Sequence, residues 1–184
     1  MILEYRLSNR QRWKYIFLPL MKLLAVMVMI TIVGALWFDV RTDHLLFVAG
    51  FTWLWAFVMH FLPLLIMAVR HSRRSAGSSF AIDTVNNTYH YEEKDRSLSF
   101  RSDEIDKVIV VVSPPKYDQR MDISGFGYFF YWKIKLANDR TLSISCMLFD
   151  VDSFTGKELT REKQLFPIPP SNQGLWLPRD GKKG

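Results

Sequence analysis

Two stretches of this chain break the ordinary mixing of apolar and polar residues. Residues 23–38 read Leu-Leu-Ala-Val-Met-Val-Met-Ile-Thr-Ile-Val-Gly-Ala-Leu-Trp-Phe, and residues 45–69 hold no charged side chain beyond a protonatable His60. A helix needs about 20 apolar residues to cross a hydrocarbon core of about 30 Å. The second run meets that length, and the first meets it when extended back to residue 15 through Ile16, Phe17, Leu18, Pro19 and Leu20. Lys22 then lies inside the span, where its stem can carry the ammonium toward headgroups. Pro19 falls in the first turns, where proline costs least, and Pro63 predicts a kink or a freed carbonyl in the turn before it. Trp13, Tyr15 and Trp37 mark the ends, as interfacial aromatics do. The short link 39–44 predicts an antiparallel helical hairpin over 15–69. Neither run shows the polar face of a soluble helix. No small-residue cleavage site follows the first, so it reads as retained rather than as a signal peptide.

From residue 75 the texture changes. Ser75-Ala76-Gly77-Ser78-Ser79 reads as a flexible joint, and alternation with period two then takes over. Tyr89 and Tyr91 alternate with Thr88, His90 and Glu92; Leu98 and Phe100 alternate with Ser97, Ser99 and Arg101. The unbroken run Val108-Ile109-Val110-Val111-Val112 predicts a strand buried on both faces. Residues 114–127 read as a long loop closed by Gly125-Phe126-Gly127. Phe130, Trp132, Ile134 and Leu136, then Leu142, Ile144, Cys146 and Leu148, flank Asn138-Asp139 as a β-hairpin. Residues 157–166 read as a short helix, stopped by Pro167, Pro169 and Pro170. The expected organisation is a basic N-terminal segment 1–14, the hairpin 15–69, a basic linker 70–79, a β-rich domain 80–166 and a proline-containing tail 167–184.

Ser102-Asp103-Glu104-Ile105-Asp106-Lys107-Val108, leading into the central strand, resembles a motif of bacterial pleckstrin-homology-like domains that follow paired transmembrane helices. Arg101 stands where tryptophan is common. The hairpin Tyr131-Trp132-Lys133-Ile134-Lys135-Leu136, Asn138-Asp139-Arg140, Thr141-Leu142-Ser143-Ile144 is similar to that family's as well. The resemblance covers residues 80–150 and the helical hairpin. It implies an α+β membrane protein with a PH-like antiparallel sandwich or barrel of two nearly orthogonal sheets. The family closes one end with a C-terminal helix; the weak helix candidate here, broken by Gly156, implies a short or missing one. Architecture of this kind is shared with lipid- and peptide-binding modules, and fold alone names no ligand.

Charge refines the picture. The chain has 184 residues, 49% hydrophobic and 23% charged, with a formal net charge of +6. The excess gathers beside the apolar runs, at Arg6, Arg10, Arg12 and Lys14 before the first and at Arg70, Arg73 and Arg74 after the second. Lysine and arginine favour the cytoplasmic side, so both termini are expected in the cytosol and the protein in the inner membrane, as a multi-pass chain. These cations are candidate contacts for an anionic bilayer surface, each contributing about 1 kcal/mol; no nucleic-acid partner is expected. A single cysteine, Cys146, excludes an intramolecular disulfide and fits a reducing compartment.

Candidate chemistry is sparse. The stretch 150–156, Asp-Val-Asp-Ser-Phe-Thr-Gly, misses a calcium loop by one residue at its glycine and offers Phe154 where an oxygen ligand belongs. The histidines His44, His60, His71 and His90 show no metal spacing. No nucleophilic triad is legible, and no cofactor or metal is expected. Cys146 reads as a buried structural thiol. His60 is a candidate intramembrane polar contact, and Phe126 a candidate partner contact on an exposed loop. Two readings stand. The first is a non-enzymatic membrane-tethered domain that binds a protein segment or lipid headgroup. The second is an accessory subunit, or homo-oligomer, that uses the helical hairpin, with Trp53, Trp55, His60 and Pro63 packing on partner helices.

Overall fold

The computed structural model describes residues 1–37, 42–94, 96–122, 125–150 and 159–172. Residues 38–41 between the helices, the Asp-x-Asp stretch from 151 to 158 and the tail from 173 lie outside them.

The chain opens with a strand rather than with a bare basic flank. β1 (Ile2–Arg6) precedes two long helices. The first, α1, joins Asn9–Arg12, a π-helical turn Trp13–Phe17 and Leu18–Trp37. It starts on a capping box in which the Ser8 hydroxyl accepts from Gln11 N–H and the Gln11 side chain accepts from Ser8 N–H. The second, α2, joins Thr42–Ala56, a π-helical turn Phe57–Phe61 and Leu62–Ser75. Each π-turn ends two residues before a proline. Pro19 and Pro63 supply no N–H and would clash with the carbonyl four residues back. The wider turn relieves that crowding: Leu18 N–H reaches Trp13 O and Leu62 N–H reaches Phe57 O. Both helices thus solve the same local problem in the same way. Each is long and apolar enough to cross a bilayer.

Strands β2 (Ser78–Asp83), β3 (Thr88–Glu93), β4 (Arg96–Arg101), β5 (Ile105–Val112), β6 (Phe130–Leu136), β7 (Thr141–Ser145) and β8 (Leu159–Lys163) follow, with a short helix α3 (Pro114–Tyr117) after β5. They form two four-stranded sheets, ordered β1-β2-β3-β4 and β7-β6-β5-β8. The fold is α+β. β1 pairs antiparallel with β2 in the register Arg6 to Ser79 and Ile2 to Asp83. The two helices are therefore inserted between adjacent strands of one sheet, and the β domain draws on residues well before position 80.

The β6–β7 hairpin turns where Asn138-Asp139 predicts it, with Asp139 at φ 61°. The valine-rich β5 is central and buried on both faces, with Ile109, Val111 and Tyr131 forming a second, outer cluster. Residues 159–163 are not helical: β8 lies parallel to β5, Leu159 beside Val108 and Lys163 beside Val112. A segment this short is a poor isolated helix, whereas β5 offers an open edge of backbone donors and acceptors. The resulting sheet is mixed rather than purely antiparallel. The core between the sheets holds Phe80, Tyr89, Tyr91, Phe100, Trp132, Ile134 and Leu142, and it continues without a break into Tyr15, Leu64, Met67 and Ala68 on the helices. Phe149 meets Tyr5, Phe80 and Trp132 with ring centroids 5.0, 5.1 and 5.6 Å away, so β1 is packed into the core as well as hydrogen-bonded at its edge.

Candidate functional site

The outer face of α2 passes from apolar to cationic within two turns. Leu65, Ile66, Val69, Arg70, Arg73 and Arg74 recur at helical spacing and so share one side. With Pro169 and Ser171 they line an open cleft of about 620 Å³. Arginines in the last turn also suit the negative end of the helix dipole.

The opposite side of the same turn fastens the helix to the β domain. His71 is fully buried; Nε2 lies 2.7 Å from Pro167 O and Nδ1 lies 2.9 Å from Ser145 Oγ. A carbonyl only accepts, so Nε2 carries a proton. With the proton of the neutral ring on Nε2, Nδ1 accepts, so the Ser145 O–H donates to it; Ser145 Oγ in turn accepts from Met147 N–H. The Ser75 hydroxyl donates to His71 O and closes the turn.

Arg74 forms the floor of the cleft. One terminal nitrogen donates to Glu93 Oε1 at 2.6 Å, and both side chains are mostly buried, at 17% and 16% exposure. Its Nε and second terminal nitrogen are buried and make no hydrogen bond. Glu93 also accepts from Tyr91 O–H at 3.3 Å, and Asn172 Nδ2 donates to that phenol oxygen at 3.2 Å. Burial and then the Glu93 charge push the Tyr91 phenol above its usual range. Asn172 further accepts from Ser143 N–H and donates to Ser143 O, so one side chain pairs the open edge of β7 as a strand would. Arg70 and Arg73 are exposed and have no ion pair among the described residues. Planar guanidinium forks match the oxygens of a phosphate bidentately, and the adjoining Leu65, Ile66 and Val69 offer an apolar wall.

Six of the seven cations expected at a membrane surface thus fall into two groups. Arg70, Arg73 and Arg74 share the cleft. Arg6, Arg10 and Lys14 line a separate hollow with Glu4 and Asp150. There Arg6 pairs with Glu4, while Lys14 Nζ and Tyr15 O–H both donate to the Asp150 carboxylate. Arg12 is exposed outside either hollow.

Phe126 is not an exposed contact. It is 9% exposed, its ring 6.3 Å from His60 and 5.5 Å from Phe166. Gly125, at φ +77°, explains this: its position for a Cβ lies 3.2 Å from Pro19 Cβ and 3.5 Å from Leu64 Cδ1, so the bare backbone wedges between the helices. His60 Nδ1 is buried there without a hydrogen bond. Trp53 is engaged within the hairpin, its indole N–H donating to Thr31 Oγ1 at 2.9 Å, and Trp55 is 57% exposed. Cys146 is buried against His71 at 3.6 Å, and burial pushes its thiol up to about 12. Among the described residues no three His, Cys, Asp or Glu side chains gather as a metal site. Sequence reasoning missed His71, Glu93, Tyr91 and Asn172, whose partners are distant in the chain; the placement of His71 among arginines was the one available hint.

Comparison with known proteins completes the site. A family model described as PH domain matches residues 4–157. The chain belongs to the PH-domain family. The match begins inside β1, runs through both helices and stops short of β8. No curated protein and no solved structure matches the chain. Membership supports a binding module for lipids or proteins, and in this PH domain the arginine cleft is the place where the chain's cationic and apolar groups converge.

Proposed function

We propose that the helices cross a bilayer, both ends cytosolic, and that the arginine cleft of the attached PH domain binds an anionic lipid headgroup of the same leaflet. The protein acts as a non-enzymatic, membrane-tethered binding module. One observation carries the reading: Arg70, Arg73 and Arg74 stand directly beneath the apolar side chains Ile66 and Val69, on the same helix face. A lipid lying along that face would place its phosphate among guanidinium groups and its acyl chains against the wall. Tethering keeps the domain at the surface that carries its ligand, which raises the effective concentration.

The test uses purified full-length protein in nanodiscs of graded anionic lipid content and a fluorescent phosphatidylglycerol. Each arginine contributes about 1 kcal/mol, so Arg70→Ala or Arg73→Ala should weaken capture about fivefold, and the double variant about 30-fold. Added salt should narrow the difference. Equal capture of anionic and zwitterionic probes by the wild type would refute the reading.

A further inference from the structure

The β domain does not hang free below the helices. Lys22 Nζ donates to Asp122 O at 2.6 Å, Gly125 sits between Pro19 and Leu64, and the Phe126 ring lies tilted 6.3 Å from His60. Asp122 fixes this loop by accepting from Gly125 N–H and Gly127 N–H at 2.9 and 2.8 Å. The helix residues it touches belong to the apolar runs. At 1.5 Å per residue, His60 lies about 15 Å bilayer-ward of Arg70 along α2.

That end of the domain also exposes apolar side chains. Met121 is 84% exposed, Leu165 60%, Tyr117 41% and Phe166 36%. These side chains come from two segments brought together by β8: Gln164 N–H donates to Val112 O, and Lys163 Nζ binds the Asp118 carboxylate at 2.9 Å. Asp118 also takes Arg120 at 2.6 Å, and these two cations hold its carboxyl below the usual range. The charges along the rim are therefore largely paired with one another. Lys163 lies over the Tyr117 ring at 5.5 Å, a phenol and ammonium of the kind that settle at headgroup level.

We propose that this rim, formed by Tyr117 and Met121 after β5 and by Leu165 and Phe166 after β8, is immersed in the boundary between headgroups and acyl chains of the leaflet that the helices cross. The inference rests on the bilayer reading of the helices and adds a third element to it. The occupant is lipid because the rim is continuous with helix surface that the same lipid covers. Immersion of this edge also sets the domain's tilt, and so presents the cleft to the leaflet in one orientation.

Nitroxide accessibility in vesicles of mixed anionic and zwitterionic phospholipid decides it. The full chain carries one new cysteine at a time: Met121→Cys and Leu165→Cys in the rim, Val33→Cys at an exposed position of the apolar run of α1, and Val85→Cys in the β2–β3 turn. The parent, whose Cys146 is buried, is the labelling blank. The rim side chains are exposed, so labelling them leaves packing intact. The ratio of oxygen to nickel-chelate collisions at 121 and 165 should follow Val33 and exceed that at Val85 several-fold. If 121 and 165 follow Val85 while Val33 reads as lipid, the rim is in water and this inference fails, with the bilayer reading untouched. If Val33 itself reads as water, both fail.

Discussion

Replacement of His71 gives the sharpest test of how the helices are joined to the β domain. Its ring makes a donor contact to Pro167 O at 2.7 Å and an acceptor contact from Ser145 Oγ at 2.9 Å, in full burial. His71→Leu removes both and leaves a hydroxyl and a carbonyl without partners. Each such group costs about 1–3 kcal/mol. The Ser145 oxygen keeps its bond from Met147 N–H, which holds the total near the low end, about 3 kcal/mol. Two amide variants divide the loss. In His71→Gln the amide nitrogen can stand where Nε2 stands and keep the Pro167 bond; in His71→Asn the amide oxygen can stand where Nδ1 stands and keep the Ser145 bond. Both should fall between wild type and His71→Leu. For a chain of this size about 1 kcal/mol moves Tm by about 2–4 °C, so the leucine variant should melt about 6–12 °C lower in detergent, followed by near-ultraviolet circular dichroism. It should also weaken anionic-lipid capture, because Arg70 and Arg73 are aimed by the turn that His71 fixes. A His71→Leu protein melting within about 2 °C of wild type, or His71→Asn and His71→Gln proteins no better than His71→Leu, would refute the clamp.

Asn172→Ala should strip the edge pairing of Ser143 and the support under Tyr91, at a cost of about 3 kcal/mol from buried groups left unpaired; faster hydrogen exchange at the Ser143 amide, without change at Ile134, is the local readout. Cys146, its thiol raised to about 12 by burial, should resist a maleimide at pH 8 in the folded protein and react fully in denaturant; ready labelling of the native state would contradict the burial. Inserting a third apolar span between α1 and α2 should place β1 and β2 on opposite sides of the bilayer and abolish the protease-resistant domain, whereas a polar loop of equal length should be tolerated.

Run length made the helices legible, because about 20 uncharged residues leave few alternatives. Local alternation around Asn138-Asp139 did the same for β6–β7. What escaped was non-local. Ile2-Leu3-Glu4-Tyr5-Arg6 is short and carries two charges, and its partner strand begins at Ser78; nothing beside it in sequence announces a sheet. Leu159-Thr160-Arg161-Glu162-Lys163 holds helix-favouring residues, and the open edge of β5 overrides that preference. The cleft was half legible: its arginines stood out as a flank, but its floor joins residues 74, 91, 93 and 172, which only folding assembles. Gly-Phe-Gly read as a loop tip because glycines mark turns; here Gly125 serves close approach to Pro19 and Leu64 instead.

The insertion of the helices between β1 and β2 bears on topology independently of charge. Pairing of Arg6 with Ser79 requires the start of α1 and the end of α2 to meet on one side of whatever the helices traverse. An odd number of crossings is incompatible with that sheet. The flanking arginines and lysines point to the same arrangement by a separate physical route. The helices in turn serve the sheet. Closing a flexible loop of this length costs chain entropy that grows with its logarithm, and an antiparallel helical pair brings the two strand ends together before they pair. Each part therefore limits the freedom of the other: the sheet requires any bilayer crossings to be even in number, and the helices hold β1 within reach of β2. A PH domain built this way depends on its helices for folding, since Tyr15, Leu64, Met67 and Ala68 belong to its own core.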